Sequence, residues 1–146
     1  MDANVLASKS ATIERCIARA RGAYSNDAAG FSGDIDRQDI AVLNIQRACE
    51  ACIDMGNLVI RRDRLGLPQS ARDVFALLAT AGIIGVDLAN RLERMVGYRN
   101  IAVHDYKKLS LQVTISIIKL HLDDFAVFSE EVMKAAGAKA TGNTRP

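Results

Sequence analysis

Residues 37–64, RQDIAVLNIQRACEACIDMGNLVIRRDR, place Val42, Ile45, Cys49, Cys52, Met55 or Gly56, and Val59 at spacings of three and four. That recurrence puts one apolar stripe along a helix and has no strand-like alternation. Asp36 stands where an N-cap belongs, and Gly66 with Pro68 stops the run, so the stretch predicts one long helix from about Arg37 to Arg64. A helix this long with a continuous stripe needs other helices to cover it.

Such partners can be read on both sides. Upstream, Ile13, Cys16, Ile17, Ala20 and Tyr24 form a stripe on a helix from about Val5 to Tyr24. The connecting Ser25–Asp36, dense in Gly, Ser, Asn and Asp, is expected to be loop. Downstream, Ser70 with Asp73 three residues on marks a capping-box-like start for a short helix over Ala71 to Ala81. A fourth helix begins near Gly85 to Asp87, its buried stripe carried by Leu88, Leu92, Met95, Val96 and Val103. A fifth runs from about Ser110 to Ala136 through Ile115, Ile118, Leu122, Phe125 and Val132. Val113 to Ile117 alternates like a strand, but no second strand is there to pair with it. The expectation is an all-α, antiparallel bundle of four to five helices, a single domain over residues 1–136 with a flexible tail at 137–146.

Composition agrees. A chain of 146 residues can bury a proper core, and 49% hydrophobic with 25% charged residues excludes a disordered or fibrous chain. Only Pro68 and Pro146 interrupt helix formation. A net charge of +2 permits a local basic site but is too mild to indicate a dedicated nucleic-acid binder. The longest uncharged run, Val74 to Val86, falls short of the roughly 20 residues a membrane span needs, so no membrane association is expected. An N-terminus without a basic and then apolar segment, together with three cysteines, points to reduced thiols in the cytoplasm.

Chemistry concentrates at the end of the fourth helix, in Arg99, Asn100, His104 and Tyr106. Imidazole takes or gives a proton near neutral pH, and guanidinium offers a fixed fork of donors to phosphate oxygens. RNA brings its own nucleophile, the 2′-hydroxyl, so the set suffices for phosphodiester cleavage without metal or cofactor. His104 would move a proton, Arg99 would stabilise charge on the phosphoryl oxygens, and Asn100 would support either. The product would carry a 2′,3′-cyclic phosphate. Helix geometry complicates this, because five positions advance about 500° and turn Arg99 and His104 about 140° apart. Arg99 falls in line with Leu92, Met95 and Val96 on the packed side, whereas Asn100 and His104 share a face. A common site therefore requires the helix to end or unwind near His104, or a second copy in a symmetric dimer to complete it. The bland alternatives are a histidine placed for the helix dipole and an arginine that snorkels from an apolar face.

The arrangement Arg99-Asn100-x-x-x-His104-x-Tyr106 resembles the R-x4-H-x-Y signature of HepT-type ribonuclease toxins of the HEPN superfamily. The resemblance extends through Ser70 to Leu78, Ala81 to Ile84, Leu92 to Tyr98 and Ile45 to Asp54, covering about residues 37–125. It implies a HEPN helical bundle, usually a homodimer, acting as a metal-independent endoribonuclease with Arg99 and His104 as its catalytic pair. It implies a partner as well, a nucleotidyltransferase antitoxin of the MNT type (MntA-like) that transfers AMP to the tyrosine matching Tyr106. An adenylyl phosphate two residues from His104 would bring negative charge to where the RNA phosphate sits. The runner-up is a non-catalytic helical module that binds RNA or a nucleotidyltransferase.

Other features have plainer readings. Cys49 and Cys52 form a CxxC in mid-helix on the apolar side, the signature of two core thiols rather than zinc ligands. Arg61, Arg62 and Arg64 complement a helix C-terminus. Lys107 and Lys108, directly after Tyr106, have the better claim to touch RNA. His121, between Leu120 and Leu122, reads as structural, and Gly97 either as a place for another helix to approach closely or as a tolerated cost in mid-helix.

Overall fold

The computed structural model describes the backbone of residues 2–144 and the side chains of 3–137. Those residues form seven helices and a 3-10 turn: α1 (Asp2–Tyr24), α2 (Ala28–Ser32), α3 (Ile35–Asp63), α4 (Ala71–Thr80), α5 (Val86–His104), the turn at Tyr106–Lys108, α6 (Leu111–Leu120) and α7 (Leu122–Thr144). The long helix read from residues 37–64 is the axis of the bundle, packing against α1, α4, α5 and α7. Its stripe of Ile45, Cys49, Cys52, Met55 and Val59 is almost wholly removed from water, as are Ile13, Cys16 and Ala20 of α1 and Phe125 and Val132 of α7. Gly56 lets α4 close onto α3, since a Cβ there would stand 2.4 Å from Val74 Cγ1.

Four expectations need correction. The segment Ser25–Asp36 is not all loop, because Asp27 caps the short helix α2 by accepting from the Gly30 amide at 3.1 Å. Phe31 anchors α2 in the core with its ring edge-on to Tyr24. The N-cap of α3 is Asp34, whose side chain accepts from the Arg37 amide, and Asp36 lies one residue into the helix. The Arg37 side chain donates to the carbonyls of Ala23 and Tyr24, tying the end of α1 to the start of α3. The expected fifth helix is two, broken at His121. There the Asp124 amide reaches back three residues to the His121 carbonyl, and the Asp124 carboxylate holds Arg91 of α5 at 3.1 Å and His121 at 3.5 Å. Neither Gly nor Pro marks this bend, so local sequence could not announce it. Val103, expected in the core, is 45% exposed with Ile101 at 42%, while Tyr98 and Ala102 take the buried side of the last turns of α5.

The cap on α4 follows the reading of Ser70 and Asp73: Ser70 Oγ accepts from the Asp73 amide, and the Asp73 carboxylate accepts from the Gln69 amide. Helix α7 runs on to Thr144, so no helix end marks the expected boundary between residues 136 and 137. Arg145 and Pro146 lie outside the described residues. No described helix is long and apolar enough to cross a membrane.

One buried polar pair fastens α5 to α6. The hydroxyls of Tyr98 and Thr114 meet at 2.7 Å, and burial pushes the Tyr98 phenol up to about 12. A phenol harder to ionise when folded gives stability that is whole below its unfolded value near 10 and is lost as pH rises through about 12. Tyr98→Phe is expected to cost about 1 kcal/mol at neutral pH. Its unfolding midpoint should approach and then exceed that of the parent as pH climbs through that window, because ionisation costs only the parent. A constant gap in thermal scans across the window would contradict the assignment.

Candidate functional site

Helix α5 delivers the candidate residues. Its last helical residue is His104, and Asp105 breaks the helix with φ −154° and ψ 56° while its amide still reaches the Ile101 carbonyl at 2.8 Å. The helix thus ends where the spacing required, but only after His104. That side chain leaves from a helical position, so the rotation of about 140° from Arg99 persists. His104 is exposed, Asn100 and Arg99 are half-buried, and among the described residues no hydrogen bond or ion pair joins Arg99 to His104.

Arg99 is held against α3. Its guanidinium lies by the Cys49 thiol, which burial pushes up to about 12 in spite of that positive neighbour. Arg99 Nε is buried and has no hydrogen-bond partner among the described residues. A buried, unpaired donor is costly, and a charged one more so. The guanidinium also meets the Cys49 thiol, so the cost of burial falls on the Nε donor.

Gly97 contributes something the sequence did not reveal. Glu93, Gly97, Asn100 and His104 fall on one face of α5 at helical spacing. Into the space that a Cβ on Gly97 would fill comes the guanidinium of Arg72 from α4, 2.9 Å from that position, while Arg72 Nε donates to the Glu93 carbonyl at 3.3 Å. The His104 face therefore carries a second arginine, brought by another helix.

Beyond the break, Tyr106 opens the 3-10 turn. Its ring is 45% exposed, and its hydroxyl donates to Asp39 of α3, 67 positions away in the chain. Burial and the adjacent Asp39 carboxylate both raise the Tyr106 phenol above its ordinary range. Tyr106, Asp39, Lys107, Gln38 and Val42 line a groove of about 350 Å3. Lys107 is exposed on the groove, whereas Lys108 is drawn to Asp105 at 3.4 Å. Asp39 was missed from sequence because no spacing signal links it to Tyr106.

The remaining candidates separate from this site. Cys16, Cys49 and Cys52 are free and buried, with burial raising each thiol, so none is a ready thiolate. Among the described residues no group of three or more His, Cys, Asp or Glu is gathered as a metal site. Arg62 is taken up by its neighbour Asp63 through two contacts. His121 serves the bend between α6 and α7.

Comparison with known proteins gives a consistent picture. The family model for "Ribonuclease HepT-like" matches residues 13–132. The mRNA nuclease HepT of Shewanella oneidensis (strain MR-1) is 46% identical over 132 residues, spanning 90% of this chain and 98% of that protein. A crystallised toxin–antitoxin with AMP-PNP contains a chain that superposes with a TM-score of 0.85 at 45% identity, over 90% of this chain and 98% of the other. The tri-AMPylated Shewanella oneidensis HEPN toxin, solved in complex with MNT antitoxin, superposes at 0.84 with 46% identity, over 90% and 97% of the two chains.

Proposed function

Since the chain belongs to the HepT-like ribonuclease family, we propose that it is the toxin of a toxin–antitoxin pair, cutting RNA without a metal through Arg99 and His104. The observation that carries this assignment is Arg99, whose buried Nε is left without a partner five residues before the exposed histidine that ends the helix. That Nε is closed to solvent, but Arg99 as a whole is only half-buried, which keeps its positive charge within reach of a phosphoryl oxygen that arrives with substrate. In the reaction His104 takes the proton of the 2′-hydroxyl, that oxygen attacks the adjacent phosphorus, and the 5′-oxygen leaves with a proton. A 2′,3′-cyclic phosphate results.

The angle between the two side chains favours a site shared between two copies. Two α5 ends facing each other across a two-fold axis would set one copy's His104 near its partner's arginine and supply a second imidazole for the second proton transfer. The exposed Ile101 and Val103, flanking His104, provide apolar surface for that contact. Lys107 and Arg72 add positive charge for the flanking phosphates.

The Shewanella oneidensis toxin was solved AMPylated and bound to an MNT antitoxin. For this chain we infer the same kind of partner, a nucleotidyltransferase that places AMP on Tyr106. The added phosphodiester would stand two residues from His104 and repel the RNA backbone.

The test is cleavage of RNA by the purified protein, with intact mass showing no adduct, in excess EDTA. The expected outcome is cut RNA ending in 2′,3′-cyclic phosphate. Intact RNA that nonetheless binds the protein would place it instead among non-catalytic binding modules.

A further inference from the structure

We propose that Asp39 is the proton acceptor for modification of Tyr106, so that the toxin carries the base for its own silencing. The inference rests on the reading of Tyr106 as the AMP acceptor. Its own ground is the hydrogen bond from the Tyr106 hydroxyl to the Asp39 carboxylate, made between the start of α3 and the turn that follows α5.

Three features separate this pair from an ordinary structural contact. Both side chains are exposed, where one hydrogen bond adds little to the fold. Asp39 makes no other hydrogen bond or ion pair among the described residues, so its charge and its second oxygen remain unused. Both groups also border the groove of about 350 Å3, which leaves room beside the phenol for an incoming phosphate. The groove is walled by α3, the 3-10 turn and α6, and Lys107 is the one cation among its lining residues. That ammonium is suited to the phosphates of a nucleoside triphosphate.

The step balances with ATP as co-reactant. Tyr106 Oη attacks the α-phosphorus of ATP and forms the new O–P bond. The bond from that phosphorus to the oxygen bridging to the β-phosphorus breaks, and pyrophosphate departs. The phenolic proton passes to the Asp39 carboxylate along the existing hydrogen bond, then to solvent. A neutral phenol is a poor nucleophile, and a base already in contact removes its proton as the bond forms.

The experiment uses the full chain, radiolabelled Mg-ATP and, as probe enzyme, the MNT antitoxin of the Shewanella oneidensis relative. Parent, Asp39→Asn, Asp39→Glu and Tyr106→Phe are compared. Asparagine keeps the shape and can still accept the hydrogen bond, but it takes no proton. In Asp39→Asn the kcat for label transfer should fall about 100-fold or more, with KM for the toxin unchanged. Its rate should also climb with pH, because tyrosinate must now form first, whereas the parent rate should depend far less on pH. Asp39→Glu should recover most of the rate, and thermal unfolding should match across the set. Undiminished labelling of Asp39→Asn with the parental pH profile would overturn the inference alone. A loss confined to KM, without recovery in Asp39→Glu, would also overturn it, showing a docking contact. If the parent takes no label, or Tyr106→Phe takes as much as the parent, the assignment of Tyr106 falls, and this inference with it.

Discussion

His104→Ala is expected to lower the rate of RNA cleavage by about 10²–10⁴-fold, the usual contribution of a positioned acid or base. Helical signal and unfolding midpoint should stay at parental values. The physical case for separating the two effects is the position of the residue. His104 is exposed at the last helical residue of α5, makes no hydrogen bond or ion pair among the described residues, and leaves the Asp105 cap to the backbone. Removing an imidazole there opens no cavity and orphans no buried group, so its cost to the fold belongs with surface substitutions, within about 0.5 kcal/mol. Circular dichroism and a melting curve beside the cleavage assay decide the matter. A melted helix in the variant would return His104 to a structural role at the helix end. Full cleavage by a well-folded variant would remove it from the mechanism.

Arg99→Met should reduce cleavage by about 10²–10³-fold, the scale seen when one electrostatic stabiliser of a transition state is lost. The variant should melt no lower than the parent. Methionine roughly fills the space of the arginine stem and brings no charge that must leave water. In the parent, the guanidinium beside the high-lying Cys49 thiol has a buried Nε with no partner, so the fold spends stability to keep it there. Replacing a half-buried charge with an apolar side chain of similar volume is often neutral or stabilising. An inactive protein that is at least as stable is the mark of a residue kept for chemistry. A fall in melting temperature in step with the loss of activity would assign Arg99 to the core instead.

How far local sequence reached can be seen by comparing particular residues. The α3 stripe, the Ser70 cap with Asp73 and the start of α5 near Gly85 depend on groups no more than about four positions apart, and helical geometry relates such positions directly. The motif at residues 99–106 is read from its resemblance to a family signature, and the helix end after His104 leaves Arg99 and His104 on different faces. Two of the four places where local reasoning slipped have a shared cause. Helix α2 is held by burial of Phe31, and the bend at His121 by Arg91 reaching Asp124, so each depends on a partner from another helix.

By itself the sequence determined an all-α bundle, the helix that forms its axis, and the short segment in which Arg99, Asn100, His104 and Tyr106 stand together. Periodicity and capping act over one or two turns and leave their record in residue spacing. Only the tertiary structure decided that Arg99 Nε lies buried without a partner, that Arg72 fills the space Gly97 leaves open, and that the Tyr106 hydroxyl rests on Asp39. Those outcomes depend on how α3, α4 and α5 rotate and pack against one another. No spacing along the chain encodes that, because a helix face acquires its neighbours only when the core closes.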